Sequence, residues 1–283
     1  MKDLVKRWYR FLHPKFQTLH SEYPIDLKPR YIEQPHELLY QIIAAEDPVY
    51  STWIEKILSH KEKFKAWSDA QDAVDDHSPS WNNGFFPALD MMAYYTLIAD
   101  SKPQQIIEVG SGNSTKIARC AIKDNQLSTR LTSMDPAPRA DIDSLSDQII
   151  RAPFESVDHE QILSLSAGDI LFIDNSHRVF PNSDAMVVFM EILPMLQTGV
   201  IVHIHDIYLP YDYPQFMCDR FYNEQYALAI AIMANPKRYR PILPCYHIHS
   251  DEGLSEKLSS IWAIPQLRNG EKHGGSFWLQ IGD

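Results

Sequence analysis

A run of β-branched residues, Ile106-Ile107-Glu108-Val109, stops at Gly110 and gives way through Ser111-Gly112-Asn113-Ser114 to a helical pattern over Thr115–Lys123. A short apolar strand that breaks at glycine and restarts as a helix opens a βαβ unit. Parallel strands need crossover connections and the crossovers are right-handed, so the unit implies an open sheet flanked by helices. The same punctuation recurs downstream. Leu131–Met134 ends at Asp135-Pro136, Gln148–Arg151 stops before Pro153, Asp169–Ile173 ends at Asp174, and Val200–His205 ends at Asp206. Leu89–Ile98, Asp184–Leu196 and Gln215–Asn235 read as helices, whereas Ile242–Ile248 and Ser276–Ile281 read as two strands that close the sheet antiparallel. The expected fold is α/β: a mostly parallel sheet with an antiparallel last strand and an N-terminal helical appendage.

Residues 1–80 differ in texture from the rest of the chain. They are polar and aromatic, with Leu38, Leu39, Ile42 and Ile43, then Trp53, Ile54, Ile57 and Leu58, at helical spacing. Asp69–Ser80 is acidic, ends in Ser78-Pro79-Ser80 and reads as a linker. Two regions are therefore expected: 1–80, which either caps the site or mediates a homodimer, and a catalytic domain over 81–283.

The formal charge of −11 repels phosphate backbones, and the one short basic run is Lys2, Lys6 and Arg7. A nucleic-acid partner is therefore not expected. The three cysteines, Cys120, Cys218 and Cys245, are dispersed and have no CxxC spacing, as in a reduced, cytoplasmic protein. No stretch approaches the roughly 20 apolar residues of a membrane span.

In open α/β sheets ligands bind beyond the carboxyl ends of the strands. Here polar residues fall at nearly every such end. Glu108-Val109-Gly110-Ser111-Gly112-Asn113-Ser114 combines a tight glycine turn with a helix N-terminus, which favours an anionic group. A glycine loop alone does not choose between ligands. Glu108 inside the strand does, because a pyrophosphate has no use for another negative charge and an ammonium group does. The third glycine of the dinucleotide fingerprint is missing here. Asp135, about 25 residues on, suits a pair of ribose hydroxyls. Phe154, in Ala152-Pro153-Phe154-Glu155, either frames an adenine ring or sits in an ordinary turn. Asp174, His177, His205 and Asp206 gather ionisable groups where a substrate would meet the cofactor, whereas His203, earlier in its strand, reads equally well as a core histidine.

Residues 81–282 resemble the class I S-adenosylmethionine (SAM)-dependent methyltransferases, and specifically the bacterial small-molecule branch called methyltransferase domain 24. The resemblance rests on IIEVGSGNST, SMDPAPR, GDILFIDNSH, ILPMLQTGVIVHIHDIYLPYDYP and GGSFWLQI. It implies a Rossmann-like class I methyltransferase sheet, with Glu108, Gly110, Ser111, Gly112, Asn113 and Ser114 at the methionine end of SAM and Asp135 at the ribose. Phe154 and Asp174 complete the expected cofactor contacts. Metal-dependent relatives carry carboxylates where Asp174 and Asp206 stand, so Asp174, His205 and Asp206 form a candidate metal set. Its histidine favours a softer divalent ion such as Mn²⁺, Fe²⁺ or Zn²⁺, or no metal at all.

The expected activity is methyl transfer (EC 2.1.1.-) to an oxygen or nitrogen of a small molecule, with a sugar or natural-product hydroxyl as first guess. His177 or His205 is then the general base, or a metal lowers the acceptor's pKa. The aromatic residues Trp81, Phe85, Phe86, Tyr208, Tyr211 and Tyr213 either stack on the acceptor or pack the N-terminal helices. The rivals are a SAM-binding module without catalysis, an NAD-dependent oxidoreductase, and a metal-dependent oxygenase built on His203-Ile204-His205-Asp206.

Overall fold

The computed structural model describes residues 2–13, 22–69, 77–138 and 142–283. Most of the expected linker, residues 70–76, and the end of the SMDPAPR turn therefore lie outside the described residues, as do the side chains of Lys2 and Arg7.

Seven strands form one sheet: β1 (Gln105–Val109), β2 (Arg130–Met134), β3 (Gln148–Ile150), β4 (Ile170–Ile173), β5 (Ile201–Ile204), β6 (Tyr239–Pro244) and β7 (Phe277–Ile281). Their spatial order is β3-β2-β1-β4-β5-β7-β6. The first five are parallel, and β7 runs antiparallel to both β5 and β6. The expected α/β fold with its antiparallel last strand is thus the observed one. Strand order reverses between β1 and β4, so the crevice that opens at a switch point lies above Val109 and Ile173.

One face of the sheet is a lateral row. Ser133, Glu108, Phe172, His203 and Trp278 are successive register partners across β2, β1, β4, β5 and β7. The helix Ala88–Ser101 packs over this row and is buried on all sides from Ala88 to Ala99. Tyr94 from that helix stacks on Phe172 at 4.7 Å, and Phe172 stacks on His203 at 3.8 Å. His203 is wholly buried and donates to or accepts from Ser276 Oγ at 2.8 Å, so it is a core histidine.

Leu39, Ile43, Tyr50, Ile54, Ile57, Phe64 and Trp67 share one hydrophobic core with the sheet. Trp67 and Trp81 lie 4.8 Å apart, and Phe64 and Tyr95 5.6 Å apart, joining these helices to the back of Ala88–Ser101. The segment from Asp47 to Trp67 therefore covers a face of that helix that would otherwise be bare.

Three expected elements differ from the structure. Asp184–Met195 is helical and Leu196 is already extended, but the hydrogen bonding passes through a π segment at Val188–Ile192 and a 3-10 turn at Leu193–Met195, where Pro194 lacks the donor an α-helix needs. The expected strand Ile242–Ile248 ends at Pro244, which cannot donate to a ladder, and Cys245–Ser250 is a helix. Gln215–Asn235 is not one helix but two, Gln215–Cys218 and Glu224–Ala234, separated by the bend Asp219–Asn223.

Candidate functional site

A cavity of about 1330 Å³ opens above the switch point. That exceeds the roughly 300–1,000 Å³ typical of a pocket for one small ligand. Gly110, Ser111, Gly112, Asn113, Ser114, Asp135, Phe154, Asp174, His177, His205 and Asp206 all line it. Of the expected site residues only Glu108 does not.

The glycine loop is shaped by close approach. Gly110 has φ +82°, and a Cβ there would lie 2.0 Å from the carbonyl oxygen of Asp174 on the neighbouring strand end. Both facts demand glycine. Gly112 is different: its φ of 172° is ordinary extended backbone, and no atom lies within 4 Å of where its Cβ would be. The space above Gly112 belongs to the cavity. Asp135 crosses from β2 to this loop, accepting from Ser111 N at 3.0 Å and from Ala137 N at 2.8 Å.

Glu108 sits one layer beneath, fully buried, and accepts from Thr115 Oγ1 at 2.6 Å and from Tyr94 Oη at 3.1 Å. Thr115 in turn accepts from Gly112 N, so the buried carboxylate braces the first turn of the helix Asn113–Asp124. Burial pushes the Glu108 carboxyl up to about 7, against the lowering effect of its hydrogen bonds.

Across the switch point the ends of β4 and β5 carry an imidazole–carboxylate cluster. His177 Nε2 lies 3.5 Å from Asp174 Oδ1 and 3.4 Å from Asp206 Oδ2. His205 Nδ1 lies 3.7 Å from both Asp174 and Asp206, and its Nε2 is 3.5 Å from Asp90. His177 and Asp206 have φ of 61° and 55°, values that cost energy in a non-glycine residue and concentrate at functional sites.

Two carboxylates of this cluster do not stand out in the sequence. Glu224, buried, is hydrogen bonded through Oε1 to His177 Nδ1. A carboxylate can only accept, so Nδ1 carries the proton and Nε2 faces the cavity. Asp90, in the helix Ala88–Ser101, accepts from the backbone of Gly275 and Ser276 at 2.7 and 2.9 Å and approaches His205 from behind. A signal for Glu224 is present: Asn223 before an acidic first turn is a helix start. Reading Gln215–Asn235 as one helix hides it. That bend also presses Tyr222 onto the His177 ring at 4.5 Å, while Asn223 N donates to the His177 carbonyl.

These surroundings set the charges. Burial alone would lower His177, but Glu224, Asp174 and Asp206 outweigh it and push the imidazole up to about 9. His205, also penalised by burial, is held well above its usual value by Asp174 and Asp206. Burial would raise Asp174, yet the facing imidazoles of His205 and His177 keep its carboxyl well below the ordinary range. Each imidazole thus faces more than one carboxylate. Among the described residues, no group of three or more His, Cys, Asp or Glu side chains is arranged to hold a metal ion, Asp174, His205 and Asp206 included.

The aromatic residues divide. Phe85, Phe86 and Tyr208 line the cavity, whereas Trp81 and Tyr213 are buried in packing. No helix among the described residues is long and apolar enough to cross a membrane. The three cysteines are free.

Residues 107–207 match the family model Methyltransf_24, a methyltransferase domain. No curated protein matches the chain. Among solved structures, the chain is similar to the SAH-bound methyltransferase PaMTH1 of Podospora anserina (16% identity, 81% of this chain and 88% of that one, TM-score 0.41). It is also similar to an O-methyltransferase from Bacillus cereus in complex with SAH (13%, 87% and 100%, 0.39). A third is the plantazolicin methyltransferase BpumL with SAH and a pentazolic desmethyl analogue (12%, 87% and 98%, 0.43).

Proposed function

From the match of residues 107–207 to the Methyltransf_24 model of a methyltransferase domain, we propose that this protein belongs to that family and transfers a methyl group from SAM to an oxygen of a small molecule. The observation that carries the reading is that one cavity is lined by both the Gly110–Ser114 loop with Asp135 and the cluster of Asp174, His177 and Asp206. The first set suits the methionine and ribose ends of the cofactor. Phe154 adds an apolar wall for the adenine. Glu108 acts through Thr115 on the loop, as a positioning residue.

SAM supplies an activated methyl on a sulfonium. The carboxylates Asp90, Asp174, Asp206 and Glu224 outnumber the two imidazoles, which suits a cationic cofactor. In its neutral form, which gains population as pH rises toward about 9, His177 keeps its proton on Nδ1 against Glu224 and offers Nε2 to take the proton of an acceptor hydroxyl as the oxygen–carbon bond forms and the sulfur–carbon bond breaks. Alignment of the two reactants contributes up to about 7–11 kcal/mol in well-oriented cases. His205, held protonated among three carboxylates, stabilises the charge of Asp174 and Asp206 rather than taking a proton. The groups at Asp174, His205 and Asp206 pair with one another, and no step is assigned to a metal.

Calorimetric titration with SAM and, separately, with NAD tests the reading. Micromolar SAM binding without an NAD response supports it. Absence of SAM binding sinks it. EDTA-sensitive turnover restored by one divalent ion would transfer acceptor activation from His177 to a metal on Asp174, His205 and Asp206.

A further inference from the structure

Beyond His177 the cavity wall carries two guanidiniums that methyl transfer by itself does not require. Arg178 and Arg220 both line the cavity. Arg178 is anchored, donating from Nε to the Arg220 carbonyl at 2.9 Å and from Nη1 to the Ser176 carbonyl at 3.0 Å. Among the described residues its Nη2 has no hydrogen-bond partner. Among the described residues, neither guanidinium has a carboxylate partner, whereas Arg119, Arg151 and Arg240 each have one. In a chain of formal charge −11 this is a positive spot in a negative field.

Both guanidiniums rest on one ring. Their central carbons lie 5.3 Å (Arg178) and 4.8 Å (Arg220) from the centre of Tyr222, the same ring that stacks on His177. The two guanidiniums and the proposed base are therefore neighbours. Phe85 and Phe216 line the same cavity and are largely exposed, presenting apolar surface to it.

We propose that the methyl acceptor is an anionic, ring-bearing small molecule whose carboxylate or phosphate docks on Arg178 and Arg220. Its ring lies against Phe85 and Phe216, and its nucleophilic hydroxyl reaches His177. Arginine forks match the planar oxygens of such groups. The carboxylates of Asp174 and Asp206 repel the anionic end, so only the hydroxyl end is admitted to the reacting centre. This inference rests on the methyl-transfer reading for its orientation, but anion binding is measurable without it.

The probes are 3,4-dihydroxybenzoate, its methyl ester and phenyl phosphate, titrated into protein saturated with S-adenosylhomocysteine and into ligand-free protein. An anion should bind at least about tenfold more tightly than the ester, as for hydrogen bonds to charged groups. The acid and phosphate arms tell the two anions apart. Arg220→Gln removes a guanidinium with no carboxylate partner among the described residues, so it should cut anion binding without altering the melting temperature. Arg178→Gln combined with it should erase the preference. Equal binding of acid and ester, no anion binding at millimolar concentration, or a preference that survives the double variant each overturns the proposal. Failure of S-adenosylhomocysteine to bind would instead sink the methyl-transfer reading, leaving the anion arms on ligand-free protein to decide the arginine site.

Discussion

The two sides of the cavity are built by different means. At the ends of β1 and β2 the surface is mostly backbone: a glycine turn, a helix N-terminus and one aspartate that ties them together. At the ends of β4 and β5 it is side chains converging from four distant segments, with Asp90, Asp174–His177, His205–Asp206 and Tyr222–Glu224 all within reach of one another. A backbone surface tolerates change according to space. A side-chain cluster tolerates it according to charge. The first side should therefore fail by collision and the second by altered titration, and single substitutions separate the two modes.

The largest effect is expected from Gly110→Ala. Its Cβ would meet the Asp174 carbonyl at 2.0 Å with φ at +82°, so the loop and β4 must separate. Loss of SAM binding should accompany destabilisation of about 3 kcal/mol or more, as for strain and overpacking together. Thermal melting and calorimetry would read both, and a variant that melts and binds normally would refute the close-approach account.

His177→Ala should lower kcat by ~10²–10⁴-fold with SAM affinity nearly unchanged. Glu224→Gln sharpens this. With Glu224 present the imidazole titrates at about 9, so the rate should rise with pH toward that value. Removing the carboxylate's charge should move the limb of the pH profile down by at least one unit. An unmoved profile would mean that His177 is not the titrating base.

Glu108→Gln should act on stability, and with a defined sign. Burial raises the Glu108 carboxyl from 4.5 to about 7, so the folded state holds its proton more tightly. The associated stability is present at acid pH and is lost as pH climbs from 4.5 to about 7, by at most ~3 kcal/mol. The variant does not titrate, so its melting temperature relative to the parent should rise across that window. A gap that stays constant with pH would contradict the burial argument.

The smallest effect is expected at Gly112→Ala. With extended backbone and open space above it, stability should change by less than about 0.5 kcal/mol. SAM affinity should fall, because the added methyl enters the cavity. Two glycines two residues apart would then differ in kind, one holding the fold and the other only the ligand.

Much of the first side is legible in the sequence alone. Ile106–Val109 followed by glycines and a helical pattern encodes a strand, a turn and a helix in consecutive residues, and Asp135 stands at the next strand end. Glu108 stands out for its charge, but its buried position under Thr115 does not, because alternation along a strand does not say which layer lies above it. On the second side the sequence exposes Asp174, His177, His205 and Asp206, since each follows an apolar run. It does not expose Glu224, Arg220 or Asp90. Reading Gln215–Asn235 as one helix masks a bend, and Asp90 belongs to a helix whose partner residues lie over 180 positions away.

The order of strands and helices, the glycine turn and the residues capping each strand are local properties, set by φ/ψ preferences and by the spacing of apolar side chains. These the sequence determined by itself. Which imidazole faces the cavity as the proposed base, which is enclosed among carboxylates and which is only core depends on burial and on residues brought from elsewhere in the chain. Those are sums over neighbours in space, and only the tertiary structure decides who the neighbours are: Glu224 for His177, Asp90 for His205, Phe172 and Ser276 for His203.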